Sequence, residues 1–174
     1  MDDAKSYRWT IKDKVIYGLV LIPFVVAFIG SLILMGRVSI AFPILVLVLY
    51  VLANFFQAGC CVGCPYRGSY CPALFGVYLA NLFSTWFYKQ RQFDEKTFYR
   101  NANRAASLLG VILIMTSVIL VTLNWLWMVA YLLLAVLHFM LFLVFICPKC
   151  GYNETCPAGK YSCSMMRRFR KKTV

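Results

Sequence analysis

The sequence predicts an all-α membrane protein: four transmembrane helices forming two parallel helical-hairpin repeats, with cytosolic Cys-rich loops and one interfacial amphipathic helix. Three observations predict it. The 174 residues are 62% hydrophobic and 14% charged, with mean hydropathy +0.74, whereas soluble domains carry about 25% charged residues. Four apolar runs of membrane-spanning length contain no Asp, Glu, Lys or Arg. The eight cysteines all fall outside those runs, six of them in two similar strings, CVGCPYRGSYCP from Cys61 and CPKCGYNETCP from Cys147.

Taken in order, residues 1–14 form a short basic N-terminal segment ahead of the first run. That run, VIYGLVLIPFVVAFIGSLILM over 15–35, exceeds the length of a signal-peptide core and lacks a small-x-small cleavage site, so it reads as a span. The second run is IAFPILVLVLYVLANFFQA over 40–58. Each approaches the ~20 residues that a helix needs to cross ~30 Å of hydrocarbon. Hydrocarbon offers backbone groups no partner, which makes these segments helices. Pro23 is expected to kink the first, and Pro43 sits in the first turn of the second, where a missing N–H matters little. With only GRVS between them, 15–58 is the first hairpin.

The middle connection, 59–104, carries the first cysteine string and then PALFGVYLANLFSTWFYKQ. There Phe75, Tyr78, Leu79, Leu82, Phe83, Trp86 and Phe87 share one helical face, and Asn81, Ser84 and Thr85 lie elsewhere. This is the pattern of a helix lying along the headgroups; a helix packed over the protein's own cytosolic ends is the alternative. The second hairpin, 105–146, consists of AASLLGVILIMTSVILVTL and WLWMVAYLLLAVLHFMLFLVFI, joined by little more than Asn124. Trp125 and Trp127 mark the far interface. Residues 147–174 form a Cys-rich basic tail ending near MMRRFRKK.

Charge gives the orientation. Of 18 Lys and Arg residues, only Arg37 lies in a hairpin loop; the rest flank the first run or lie in the middle connection and tail. The positive-inside rule then puts both termini, the middle connection and all eight cysteines on the cytosolic side of a cytoplasmic-type membrane. The net charge of +12 points to anionic lipid headgroups as the partner, and not to nucleic acid, because the basic residues border apolar runs.

The halves repeat. Each reads span, tight loop, span, Cys-x-x-Cys, Cys-Pro, amphipathic segment. The offset from Cys61 to Cys147 recurs from Cys64 to Cys150, and shortens by one from Cys71 to Cys156. Two hairpins of like orientation make parallel repeats about an axis along the membrane normal.

Cysteines on the cytosolic side stay reduced, so clusters there are metal ligands or redox-active thiols more often than structural disulfides. Cys60, Cys61, Cys64 and Cys71 form one group and Cys147, Cys150, Cys156 and Cys163 the other. Four thiolates complete the tetrahedral set of one zinc or iron ion, or of one iron–sulfur cluster. Cys-x-x-Cys aims two sulfurs at one centre. Proline after Cys71 and Cys156 can open a helix, whose N-terminal partial positive charge favours the thiolate. The division of ligands stays open, since a pseudo-twofold could bring both loops into one centre. Some of these cysteines acting merely as small buried hydrophobes is the bland alternative.

Cys-Pro occurs at Cys64, Cys71, Cys147 and Cys156, and Cys60 to Pro65 reads C-x3-C-P. In this motif and in its layout of spans the chain resembles the membrane iron–sulfur proteins of the nitrate- and nitrous-oxide-reduction accessory type. The resemblance implies two iron–sulfur clusters passing electrons between a quinol and a redox partner protein or membrane complex. The spacing of Cys150 to Cys156 departs from the motif. CPKCG at Cys147 is similar instead to the knuckles of zinc ribbons and rubredoxin-like sites, which implies two zinc ions bracing a structural or assembly protein without a redox role. In outline the chain also resembles quinone-linked membrane dithiol–disulfide oxidoreductases, although their working cysteines face the oxidising side, and exchange needs only two thiols.

His138, the one histidine, lies within the fourth run. It is a candidate proton or quinone ligand by default, with a hydrogen-bonded structural role as the stronger alternative; a single histidine excludes a bis-histidine haem. Asn54 and Gln57 lie about one helical turn apart just before Cys60 and are candidates for bonding ligand sulfurs or a quinone, or for joining helices. No phosphate-binding glycine loop, serine triad or carboxylate pair is present, and the absence of acidic residues from the runs argues against an ion pump. The chain reads as an electron-transfer or accessory subunit more than a stand-alone enzyme.

Overall fold

The computed structural model describes residues 9–62, 70–71, 78–89 and 94–149. Among these every regular element is helical: α1 (Ile11–Gly36), α2 (Ala41–Ala58), α3 (Tyr78–Phe87), α4 (Glu95–Leu123) and α5 (Trp125–Phe145). Cys64, Phe75, the Tyr78 side chain, Cys150, Cys156, Cys163 and the tail from 150 onward lie outside the described residues.

Four helices are long and apolar enough to cross a membrane, as expected. Only 22–28% of each apolar window is buried within the protein. The remaining surface, including Leu19, Ile22, Ile33, Ile114 and Leu133, calls for an apolar solvent. Trp125 and Trp127 stand exposed at one end of the bundle, and Trp86 on α3 at the other.

Two helices begin earlier than the apolar runs do, and each start has a polar cause. Thr10 and Asp13 form a capping box: the Asp13 N–H donates to Thr10 Oγ1 at 3.2 Å, and the Thr10 N–H to Asp13 Oδ2 at 3.1 Å. This adds a turn before residue 15 and places a carboxylate at the positive end of the helix. Asp94 caps α4 by accepting the Thr97 N–H at 3.0 Å. The helix therefore starts ten residues before the run at 105, and the middle connection ends at Asp94. At 29 residues α4 is about 44 Å long, so its polar first turns extend past ~30 Å of hydrocarbon.

A single extended residue, Asn124, turns the chain from α4 to α5 (φ −169°, ψ 131°). Its N–H donates to the Leu120 carbonyl at 3.0 Å, and its Oδ1 accepts the Leu126 N–H at 2.9 Å. One side chain thus closes one helix and opens the next.

α1 packs on α5 and α2, and α4 packs on α2 and α5. α1 also touches α4 across the middle, so α2 and α5 occupy the long diagonal of the bundle. One apolar core lies between α1 and α5 around Tyr17, Val20, Phe142, Leu143 and Ile146. A second, towards the hairpin turns, contains Met35, Val46, Ile112 and Ile119. α1 runs on through buried Pro23, whose ring removes the amide donor that the Leu19 carbonyl would otherwise receive.

α3 packs against the end of α2. Ala80 and Ser84, one turn apart, are buried, while Leu79, Leu82, Trp86 and Phe87 stay exposed. Phe83 and Phe87 meet Phe55 of α2 edge-on, with centroids 6.3 and 5.8 Å away. Small residues allow the close approach, while Leu79, Leu82 and Trp86 stay on the exposed side.

Asn124→Ala removes the cap of α5 and is expected to destabilise the second hairpin by about 1 kcal/mol, measured as a shift in the unfolding midpoint in mixed micelles. Hydrogen bonds from Thr97 hold the exposed Asp94 carboxyl below its ordinary range. A depressed folded pKa contributes stability above the unfolded value of about 3.9 and loses it as pH falls through the lower folded value. The Tm advantage of the wild type over Asp94→Ala should therefore be full at neutral pH and decline below about pH 4.

Candidate metal centre

The four described cysteines lie at the end of the bundle where α1 and α4 begin and α2 and α5 finish. Both finishing helices tighten there into 3-10 turns, Gly59–Cys61 after α2 and Cys147–Lys149 near the end of α5. Such a turn releases carbonyls from the ladder and re-aims the side chains that follow.

At the α2 end, the Cys60 thiol donates to the Phe98 carbonyl of α4 at 3.7 Å, and the Cys61 thiol to the Gln57 carbonyl at 3.7 Å. Cys61 packs beside Ala58, Val62, Ala80 and Tyr88. Gly59 makes this geometry possible. A Cβ on Gly59 would lie 2.0 Å from Asn101 Nδ2 and 2.9 Å from Asn101 Cγ, with Asn101 itself buried on α4. Arg104 covers the Phe56 ring at 5.5 Å.

At the α5 end, Cys147 is buried in the core shared with α1. Lys149, two residues on, forms an ion pair with Asp13 Oδ1. Asp13 is only 4% exposed, and its other oxygen accepts from the Thr10 N–H and hydroxyl. The same platform receives Tyr70 from the middle connection. Tyr70 meets Trp9 and Tyr17 edge-on at 6.4 and 6.1 Å and lies under the Lys14 ammonium at 5.1 Å. Cys71, the next residue, is partly buried.

Thiolate sulfur is a ligand that zinc and iron–sulfur clusters both take, and Cys60, Cys61 and Cys147 bring it to one end of the bundle. Among the described residues no three His, Cys, Asp or Glu side chains gather closely enough to hold an ion; four of the eight cysteines lie outside that set.

Of the other candidates, His138 and Asn54 lie within the spans and Gln57 lies in the last turn of α2. His138 is fully buried, and its Nδ1 donates to the Val20 carbonyl at 2.8 Å, joining α5 to α1. A carbonyl can only accept, so the hydrogen is on Nδ1. Phe24 and Phe142 flank the ring at 5.3 and 6.2 Å. Asn54 is buried and its Nδ2 donates to the Tyr50 carbonyl one turn back, at 2.8 Å. Gln57 contributes its carbonyl to Cys61. Asp13, Lys149, Tyr70, Gly59 and Asn101 were not singled out by the sequence. The capping pattern Thr10-x-x-Asp13 was readable there; the others become evident only through contacts distant in sequence.

No known protein family, curated protein or solved structure matches the chain. The likeness to nitrate- and nitrous-oxide-reduction accessory proteins therefore rests on the Cys60–Pro65 motif and the span layout alone.

Gly59→Ala should force Asn101 aside and destabilise the α2–α4 contact by about 1–3 kcal/mol. Asn101→Ala in the same chain should recover part of that loss, as a double-mutant cycle in detergent would read.

Proposed function

We propose that the chain is an integral-membrane electron-transfer subunit carrying two iron–sulfur clusters on cysteine thiolates at the cytosolic membrane face. The observation behind the reading is that both cysteine-bearing helices, α2 and α5, finish at one end of the bundle in 3-10 turns that carry Cys60, Cys61 and Cys147. Clusters held there would supply one-electron chemistry at the membrane surface. The protein's own part is to hold the thiolates and fix their distance from the bilayer.

The excess of Lys and Arg flanking that end supports a cytosolic placement. The parallel-repeat reading is supported by the packing, because a twofold that exchanges the hairpins also exchanges the α2–α4 and α1–α5 interfaces. The outward apolar face of α3, with Trp86 exposed, supports an interfacial helix among anionic headgroups. Electrons would come from and go to a redox partner protein or membrane complex.

A zinc-braced scaffold is the second reading, favoured by the CPKCG string at Cys147 and the ion pair that fixes its Lys149 to α1.

Anaerobic purification in detergent, with iron, zinc and acid-labile sulfide analysis and EPR after dithionite reduction, separates the two. Iron with sulfide and a reduced-cluster signal is the expected outcome. Stoichiometric zinc without sulfide would refute the redox role and establish the scaffold.

A further inference from the structure

We infer that the two centres do not follow the grouping of cysteines along the chain: Cys71, from the first cysteine string, serves the same centre as Cys147, while Cys60 and Cys61 serve the other. The inference rests on the metal-binding reading above and deepens it.

The bundle's geometry is the first argument. α1 and α4 touch across the middle, which leaves α2 and α5 on the long diagonal. With neighbouring axes about 8–10 Å apart, that diagonal is about 14–17 Å. One tetrahedral ion with Zn–S bonds of about 2.3 Å holds its sulfurs within about 4 Å of each other. Cys60 and Cys61 at the end of α2, and Cys147 at the end of α5, therefore belong to different corners.

The course of the middle connection is the second argument. Tyr70 does not stay at the α2 corner. It packs against the core that contains Tyr17, Ile146 and Cys147, with its ring edge-on to Trp9 and Tyr17 and under Lys14. The peptide bond from Tyr70 therefore delivers Cys71 to the α1–α5 corner. Cys61 packs elsewhere, with Ala80 and Tyr88.

The third argument is the rigidity of the receiving side. Lys149, inside the Cys-x-x-Cys string that begins at Cys147, is tied to buried Asp13. Asp13 is in turn fixed by the capping box of α1. Both cysteine strings thus meet on the first turns of α1, one through an aromatic contact and one through an ion pair. Electrostatics agree: thiolates brought together repel, and Lys14 lies over the ring that precedes Cys71.

The experiment uses the full chain in detergent, metal-free, reduced and anaerobic. A short bifunctional thiol reagent, dibromobimane, is added, and linked peptides are identified by mass spectrometry. A Cys71–Cys147 link is expected. Links from Cys71 to Cys60 or Cys61, without one to Cys147, would overturn the assignment.

A Co(II) titration then reads the centres through the thiolate-to-cobalt charge-transfer band. Read together with bound cobalt per chain, Cys71→Ser and Cys147→Ser should each empty one and the same centre, and the double variant should lose no more bound cobalt than either alone. Cys60→Ser combined with Cys71→Ser should lose the sum of the two. Additive losses for Cys71→Ser and Cys147→Ser would place them in separate centres and overturn the inference. A wild-type chain without any charge-transfer band would refute the metal reading and the shared centre with it, even where the Cys71–Cys147 link forms; that link would still locate the two thiols at one corner.

Discussion

Hydrocarbon cannot bond to an N–H or a C=O, and the structure is arranged around that constraint. Within the spans the helical ladder meets it. The ends need separate solutions, and polar residues supply four of them: Thr10 with Asp13 opens α1, Asp94 opens α4, and Asn124 both closes α4 and opens α5. Pro23 breaks the ladder inside α1. One residue on from the Leu19 carbonyl, the Val20 carbonyl takes the Nδ1 hydrogen of His138. The ring thereby satisfies its own buried donor and joins α1 to α5 at the same point. In hydrocarbon, where apolar contact alone gives helices little reason to associate, such a bond adds what packing lacks.

The same constraint explains where the thiols stand. A metal–thiolate centre carries charge and needs hydrogen-bond donors, so the helix ends, not the spans, can hold one. The 3-10 turns at Gly59–Cys61 and Cys147–Lys149 end two helices in like manner at the same end of the bundle. Those ends are not left loose. Gly59 lets α2 meet Asn101 of α4 at a distance that any side chain would prevent, and Asp13 holds Lys149 against α1. Removing one partner from a buried ion pair generally costs about 3–5 kcal/mol, because the other charge is left uncompensated. Lys149 is partly exposed, which places this pair below that range, yet Asp13 remains a buried carboxylate that needs its cation.

The spans were legible because their length and lack of charge leave only one structure that hydrocarbon permits. The tight Asn124 turn was legible for the same reason: two spans and one residue leave no other connection. The starts of α1 and α4 were less so, since apolarity marks where a helix enters lipid and not where it begins in water. The sequence marks the bulky stripe of α3, whereas the burial of Ala80 and Ser84 against the protein depends on contacts with the end of α2. In water the bulky face would be buried, and in a membrane the preference is reversed. Asp13 with Lys149, Gly59 with Asn101, and Tyr70 with Tyr17 join residues far apart along the chain, and no local pattern announces such pairs.

That last gap bears most on the chemistry. Along the chain the cysteines form two groups of four, and proximity in sequence suggests two local centres. The packing of Tyr70 separates Cys71 from Cys61 and takes it to α1. A helix of this bundle that supplies no cysteine then becomes the element on which two cysteine strings meet. Under the proposed assignment, a loaded centre would link the two hairpins in addition to their helix packing. Loading that centre would lock α5 and the middle connection onto α1. Metal-binding energy would then contribute directly to the stability of the assembled bundle, as it does wherever ligands come from separate elements.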